Sequence, residues 1–196
     1  QVMMKREMVT EIAATLAFAA IENNDKVGLL FFSDRIEKFI PPKKGRKHIL
    51  HLIRELLDFQ PESNSTDITV PLEYITGAVK KRCTAFLLSD FIDPHDYMNA
   101  LTIANRKHDI VAIRVYDRRM EELPDVGLMK LYDSESGQEM FVDTSSVKVR
   151  SAHKKWFDDN TARLQDYLTR SCVDSVSVRT DQDYVKALMG LFAKRN

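Results

Sequence analysis

The chain has few of the residues from which phosphate-cradling and catalytic loops are built. Only six of its 196 residues are glycine. No G-x-G-x-x-G follows a candidate strand, and no G-x-x-x-x-G-K-[ST] loop occurs. A G-x-S-x-G elbow is also missing. These absences argue against nucleotide-dependent and serine-hydrolase chemistry. Cysteine is scarce: Cys83 and Cys172 stand alone, and no Cys/His spacing resembles a zinc site. Their spacing neither demands nor excludes a disulfide. We expect two free, partly buried thiols in a reducing compartment, the cytoplasm. Net charge is lacking too, with 29 basic residues against 29 acidic ones. A neutral chain sets up no global field to favour nucleic acid or an anionic membrane. No apolar stretch approaches the ~20 residues that span a bilayer, so no membrane span is expected in this chain. The sequence opens on Gln1-Val2 without an initiator methionine or a visible signal peptide. It therefore reads as a fragment or a processed product.

What is present alternates between two periods. Residues 3–24 place Met8, Ile12, Leu16 and Ala19 on one stripe, which predicts a helix. Val27 to Phe32 is a continuous apolar strand, the pattern of a sheet covered on both faces. Ile36 to Ile40 alternates like a short edge strand that Pro41-Pro42 stops. A helix over 46–58 turns Ile49, Leu52, Ile53, Leu56 and Leu57 inward, and another is marked by Ile68, Leu72, Ile75 and Val79. Strand 83–89, helix 94–107 and strand 110–116 follow. Leu128–Tyr132 and Glu139–Val142 flank Asp133-Ser134-Glu135-Ser136-Gly137, which predicts a hairpin insertion over 127–142. A long helix over 146–171, a strand from Val173 to Val178 and a helix over 181–194, capped by Thr180 or Asp181, close the chain. The alternation implies one α/β domain over residues 1–196 with a doubly wound, mainly parallel sheet.

In such sheets ligands bind at the carboxyl ends of strands. Two segments fall there: the polar loop Ser65-Thr66-Asp67, and Ser89-Asp90 at the end of the apolar run Ala85 to Leu88. A threonine hydroxyl and an aspartate carboxylate are hard oxygen donors, suited to Mg²⁺ or Mn²⁺. Thr66 and Asp90 are the candidate metal ligands. Ser65, Asp67, Ser89, Asp34 and Asp93 are the candidate supporting groups around them. Asp67 also reads as a cap for the helix beginning near Ile68. His48 and His51 read as solvated residues, and His95 as a surface residue beside the proposed site. Lys43, Lys44, Arg46 and Lys47 form a basic cluster without interleaved aromatics, read as a solvated turn. Trp156 and Phe157 read as flank and core of the long helix.

Several segments together carry a family resemblance. They are Asn23 to Asp34 around the apolar strand, Phe39-Ile40-Pro41-Pro42-Lys43-Lys44-Gly45-Arg46, Thr66-Asp67-Ile68, Leu87-Leu88-Ser89-Asp90-Phe91, Glu122-Leu123-Pro124-Asp125-Val126-Gly127, and Thr180-Asp181-Gln182-Asp183-Tyr184-Val185. In order and over essentially the whole length, the chain resembles the bacterial domain of unknown function 58. That group is von Willebrand factor A-like and often encoded beside MoxR-type ATPases. The resemblance implies a Rossmann-like three-layer fold and a metal-ion-dependent adhesion site. Such a site has an Asp-x-Ser-x-Ser motif after the first strand, a later Thr, matched here by Thr66, and an Asp after the fourth strand, matched by Asp90. The first motif is absent where it belongs, before the first helix. We therefore expect the first, central strand to lie upstream of these residues.

Two expectations follow. Metal should bind weakly or not at all to this chain alone, although the intact protein would hold Mg²⁺ or Mn²⁺. Two unpaired strand edges should invite an upstream segment or a second copy. The implied function is non-catalytic protein binding, with a MoxR-type ATPase or another protein bearing an acidic residue as partner, in assembly or maturation of complexes. The rival is a Mg²⁺-dependent hydrolase or phosphatase-like enzyme on the same sheet, with Asp34 and Asp90 as its acidic groups. A metal-free scaffold is the third reading.

Overall fold

A computed structural model describes residues 4–132 and 139–195. The chain runs α1 (Lys5–Glu22), β1 (Val27–Phe32), β2 (Ile36–Lys43), α2 (Arg46–Asp58), α3 (Thr69–Ala78), β3 (Thr84–Ser89), α4 (Met98–Lys107) and β4 (Asp109–Tyr116). It continues with α5 (Arg118–Glu121), β5 (Leu128–Tyr132), β6 (Glu139–Asp143), α6 (Val147–Arg170), β7 (Asp174–Arg179) and α7 (Tyr184–Arg195). The α/β alternation read from the periodicity is thus present. The expected mainly parallel sheet is smaller than foreseen. Among the described residues only β3, β4 and β7 pair in parallel, in the order β3-β4-β7.

β4 is the centre of that sheet. Ile110, Val111, Ala112, Ile113 and Val115 are all buried, because paired strands flank it and helices cover both faces. On one face Ala85 and Leu87 of β3 pack with Ile68 and Leu72 at α3, Leu101 and Ala104 of α4, and Leu164 and Leu168 of α6. On the other, Phe86 and Leu88 meet Met8 and Ile12 of α1 and Leu188 of α7. The period-2 alternation of β3 therefore sorts its side chains between two helical layers.

β1 pairs only with β2, antiparallel. Its third cluster joins Ala17 of α1 to Ile40, Ile49 and Leu52, with Val27 and Leu29 packed against it. Phe32 faces the α3 side instead. So α1 underlies both sheets on one face, and Phe32 reaches the α3 layer on the other. All six residues of β1 are only half-buried.

The predicted stop at Pro41-Pro42 is overturned: both prolines lie within β2. The register shifts between Val27 and Leu29, a bulge opposite the prolines. An edge strand with a bulge tolerates residues that cannot donate to the ladder. Gly28 faces this bulge, and a Cβ there would sit 2.9 Å from the Ile40 carbonyl oxygen and 3.0 Å from Pro42. The cap of the last helix is also corrected. Asp183 accepts the N–H groups of Val185 and Lys186. Thr180 instead donates its hydroxyl to Asp117, and Asp181 pairs with Arg179.

β5 and β6 pair antiparallel from Leu128↔Asp143 to Tyr132↔Glu139. The expected turn at Asp133 to Gly137 lies outside the described residues. Cys83 is half-buried and Cys172 is exposed, and both are free thiols. The expectation of two partly buried thiols holds for Cys83 alone.

Candidate functional site

The carboxyl ends of β1 and β3 are tied together through the loop that precedes α3. Ser33 closes β1, and its carbonyl accepts the N–H of Asp67 at 3.2 Å. The next amide, that of Ile68, donates to Asp93 Oδ2 at 2.6 Å. Asp67 Oδ1 accepts the N–H of Thr69 at 2.8 Å, which is the capping role read from the sequence. This pinning brings Asp34, Ser65, Thr66 and Asp67 to the same edge as Ser89, Asp90 and Asp93.

The chain after β3 turns sharply on its own side chains. Ser89 Oγ accepts the Phe91 N–H, and Asp90 Oδ1 accepts that of Ile92. Phe91 has φ +58° and is buried. A bulky residue in the left-handed region is strained and needs its surroundings to hold it there. The strain places Asp90 at the exit of β3 while Phe91 anchors below.

Asp93 is the hub. Its carboxylate has no exposed surface. It accepts the Ile68 N–H on one oxygen, and the His95 N–H and ring on the other, with His95 Nδ1 at 2.7 Å. Arg163 from α6 donates to its main-chain carbonyl at 2.5 Å. Several donors around one carboxylate offset the cost of burying its charge. Asp67, Asp93 and His95 offer ligand atoms that all lie within 4.8 Å of one another. From its sequence position alone Asp93 reads as a supporting group. Its burial was not visible there, although Asp93-Pro94 marks a forced turn.

Asp90 is partnered by a residue the sequence reading passed over. Lys5, first residue of α1, donates its ammonium to Asp90 Oδ2 at 2.6 Å. The Asp90 main-chain carbonyl accepts from Arg114 Nε at 3.2 Å. Arg114 is buried on β4, stacked over Phe157 and Tyr116, and bonded to the Thr161 hydroxyl. Burial pushes its pKa below the ordinary arginine value. The site edge is thus acidic at its rim, with a fixed cation on Asp90 and another beneath.

The remaining candidates sit around this core. Thr66 is half-buried, and its hydroxyl makes no hydrogen bond among the described residues. Ser65 is exposed. Asp34 is exposed, and its carboxyl is held below the usual range, first by a hydrogen bond from Ser63 and then by Arg35. His95 is exposed, as read. His48 is not simply solvated, since its Nε2 lies 2.9 Å from the Val27 carbonyl oxygen. Phe157 is buried and Trp156 exposed, the core and flank expected.

The converging donors are the carboxylates of Asp67 and Asp93 and the His95 imidazole. Asp90 and the Thr66 hydroxyl are further hard oxygen donors on the same edge. A divalent ion at Asp90 must displace the Lys5 ammonium. The exchange replaces one cation by another of higher charge, without leaving the carboxylate bare.

A family model described as "Protein of unknown function DUF58" matches residues 1–163. An uncharacterized protein of Mycobacterium tuberculosis, Rv1480, is 28% identical over 97% of this chain and 61% of its own length. The chain thus spans about three fifths of that relative. An uncharacterized protein of Mycobacterium avium, MAV169, is 27% identical over 80% of this chain and 93% of its own. Among solved structures, the conserved hypothetical protein BatB of Bacteroides thetaiotaomicron aligns with TM-score 0.54 at 14% identity, covering 94% of this chain and 87% of that one. An aerotolerance-related membrane protein of Bacteroides fragilis aligns with TM-score 0.53 at 11% identity, over 94% and 88%. At such identities the two structures speak for the fold alone.

Proposed function

The chain belongs to the DUF58 family of proteins of unknown function, and from that premise we propose that it is a non-catalytic protein-binding domain of von Willebrand factor A-like design. The observations that support the reading are the convergence of Asp67, Asp93 and His95 ligand atoms within 4.8 Å of one another, and Asp90 at the exit of β3 with a cation, Lys5, already seated on it. In the intact protein Thr66 and Asp90 hold Mg²⁺ or Mn²⁺, supported by Ser65, Asp67, Ser89, Asp34 and Asp93. The ion supplies an open coordination position for a partner carboxylate. A MoxR-type ATPase is the partner that the family resemblance favours, in assembly or maturation of complexes. β1 and β3 each lack a second neighbour among the described residues. α1 and the α3 layer flank the space on opposite faces. In the proposed design the first, central strand occupies that space and brings the remaining ligands.

The test is a Mn²⁺ titration of a longer protein that includes the preceding segment. We expect saturable binding that both Asp90→Ala and Thr66→Ala abolish, and markedly weaker binding to the 196-residue chain. Binding that persists in both variants would remove the proposed ligands. Turnover of generic phosphoesters, lost in Asp90→Ala, would favour the hydrolase rival instead.

A further inference from the structure

The chain is neutral overall, yet its charge is not evenly spread. Lys43 and Lys44 leave β2, Gly45 turns the chain with φ +100°, and Arg46 and Lys47 open α2. One turn and three turns further on, α2 presents Leu50 and Leu57, which are 51% and 62% exposed. The inward placement expected for Leu57 is overturned, because at 100° per residue it falls on the arc of Arg46 and Leu50 and away from Ile49 and Leu52. Arg54 and His51 lie between Leu50 and Leu57 on the same outward face. The opposite face of α2 carries the buried Ile49 and Leu52. At 100° per residue, positions 46, 47, 50, 51, 54 and 57 fall within one arc of the helix.

The five cations of this face and its approach outnumber its acidic side chains, of which Asp58 is exposed on the same arc. Lys43, Lys44, Arg46, Lys47 and Arg54 form no ion pair and no side-chain hydrogen bond among the described residues. Glu55, beside this face, is already engaged by Lys38 and by His51. Elsewhere cations are commonly spent on carboxylates, as at Lys5, Arg150, Lys154, Arg179 and Arg195. Five exposed unpaired cations with two exposed leucines among them make a surface that water alone does not explain.

We propose that the outer face of α2, with the Lys43-Lys44 approach, docks on an anionic lipid bilayer. The charge of the face complements acidic headgroups, and the long lysine and arginine side chains follow lipids that move laterally. The leucines decide among anionic surfaces. A nucleic acid backbone rewards the cations and leaves Leu50 and Leu57 in water. A bilayer takes both, because the apolar side chains enter at the boundary of headgroups and acyl chains. The face runs along the outside of a 13-residue helix, about 20 Å long, which suits an extended deformable surface. The orientation is peripheral: no helix among the described residues is long and apolar enough to cross a membrane.

The experiment is flotation of the whole chain with vesicles of phosphatidylcholine containing about one third phosphatidylglycerol, and with pure phosphatidylcholine. We expect binding to the anionic vesicles alone, falling steeply with salt. Each cation near the surface contributes about 1 kcal/mol, so Lys47→Glu with Arg54→Glu should weaken binding by at least about tenfold. Leu50→Ser with Leu57→Ser leaves the charge unchanged and should also weaken it several-fold. Both pairs lie on the exposed face, and unchanged far-ultraviolet circular dichroism verifies their fold. No binding to the anionic vesicles at low salt overturns the proposal. So does binding that the leucine pair leaves untouched while the chain binds duplex DNA equally well, which would make this face a nucleic-acid surface.

Discussion

At the scale of single residues, two positions carry more than their side chains suggest. Gly28 stands opposite the bulge that lets Pro41 and Pro42 sit inside β2. A methyl group there meets backbone, which cannot rotate away. Gly28→Ala should therefore cost about 1–3 kcal/mol, read as a lower denaturant midpoint at unchanged slope. His108 is wholly buried, with Nε2 3.2 Å from the Ile75 carbonyl oxygen and Nδ1 3.5 Å from Cys83 Sγ. The carbonyl only accepts, so Nε2 carries the proton and Nδ1 accepts from the thiol. Burial, the largest cause, lowers the imidazole pKa in the folded state. The unfolded chain then binds the proton more readily, so stability is full above the unfolded value of about 6.5 and is lost as pH falls below it. Melting temperature should drop between about pH 7 and pH 5, and the drop should shrink in His108→Gln. A drop of equal size in that variant would assign it to other groups.

At the scale of elements, the helices were legible and their tethers were not. The 3.6-residue stripes of α2 and α6 sufficed because each carries a continuous apolar face, Ile49 and Leu52 in α2 and Phe157, Leu164 and Leu168 in α6, although the exposed Leu50 and Leu57 of α2 lie off that face. The bounds of α2 agree to the residue. The buried run of β4 was equally plain. The extension of β2 through two prolines was hidden, since it depends on a bulge and on a glycine fourteen residues earlier. The start of α3 is held by a carboxylate 25 residues away in sequence, and no local pattern announces such a partner. Asp93→Ala should leave the Ile68 N–H and the His95 amide without their acceptor. The expected cost is about 2–3 kcal/mol, with hydrogen exchange at Ile68 and Thr69 accelerating before that of β4. Protection that falls uniformly across the chain would instead mean that the loop and the central sheet open as one unit.

At the scale of the whole molecule, the α/β class was readable from alternation, and the division of the sheet was not. Parallel pairing of β3, β4 and β7 gathers residues from positions 84 to 179, and periodicity says nothing of which strands adjoin. The candidate site was half legible for the same reason. Asp90 and Thr66 stand out as strand-end and loop donors, whereas Lys5 and the buried state of Asp93 emerge only when distant segments meet. One helix governs that meeting. α1 is a rod of 18 residues, about 27 Å long. Met8 and Ile12 lie under the parallel sheet, Ala17 lies under β1–β2, and Lys5 at its tip rests on Asp90. Mechanically it is a lever with two bearings and a pointer. A slip of one sheet against the other swings the tip, and whatever dislodges the tip frees the lever.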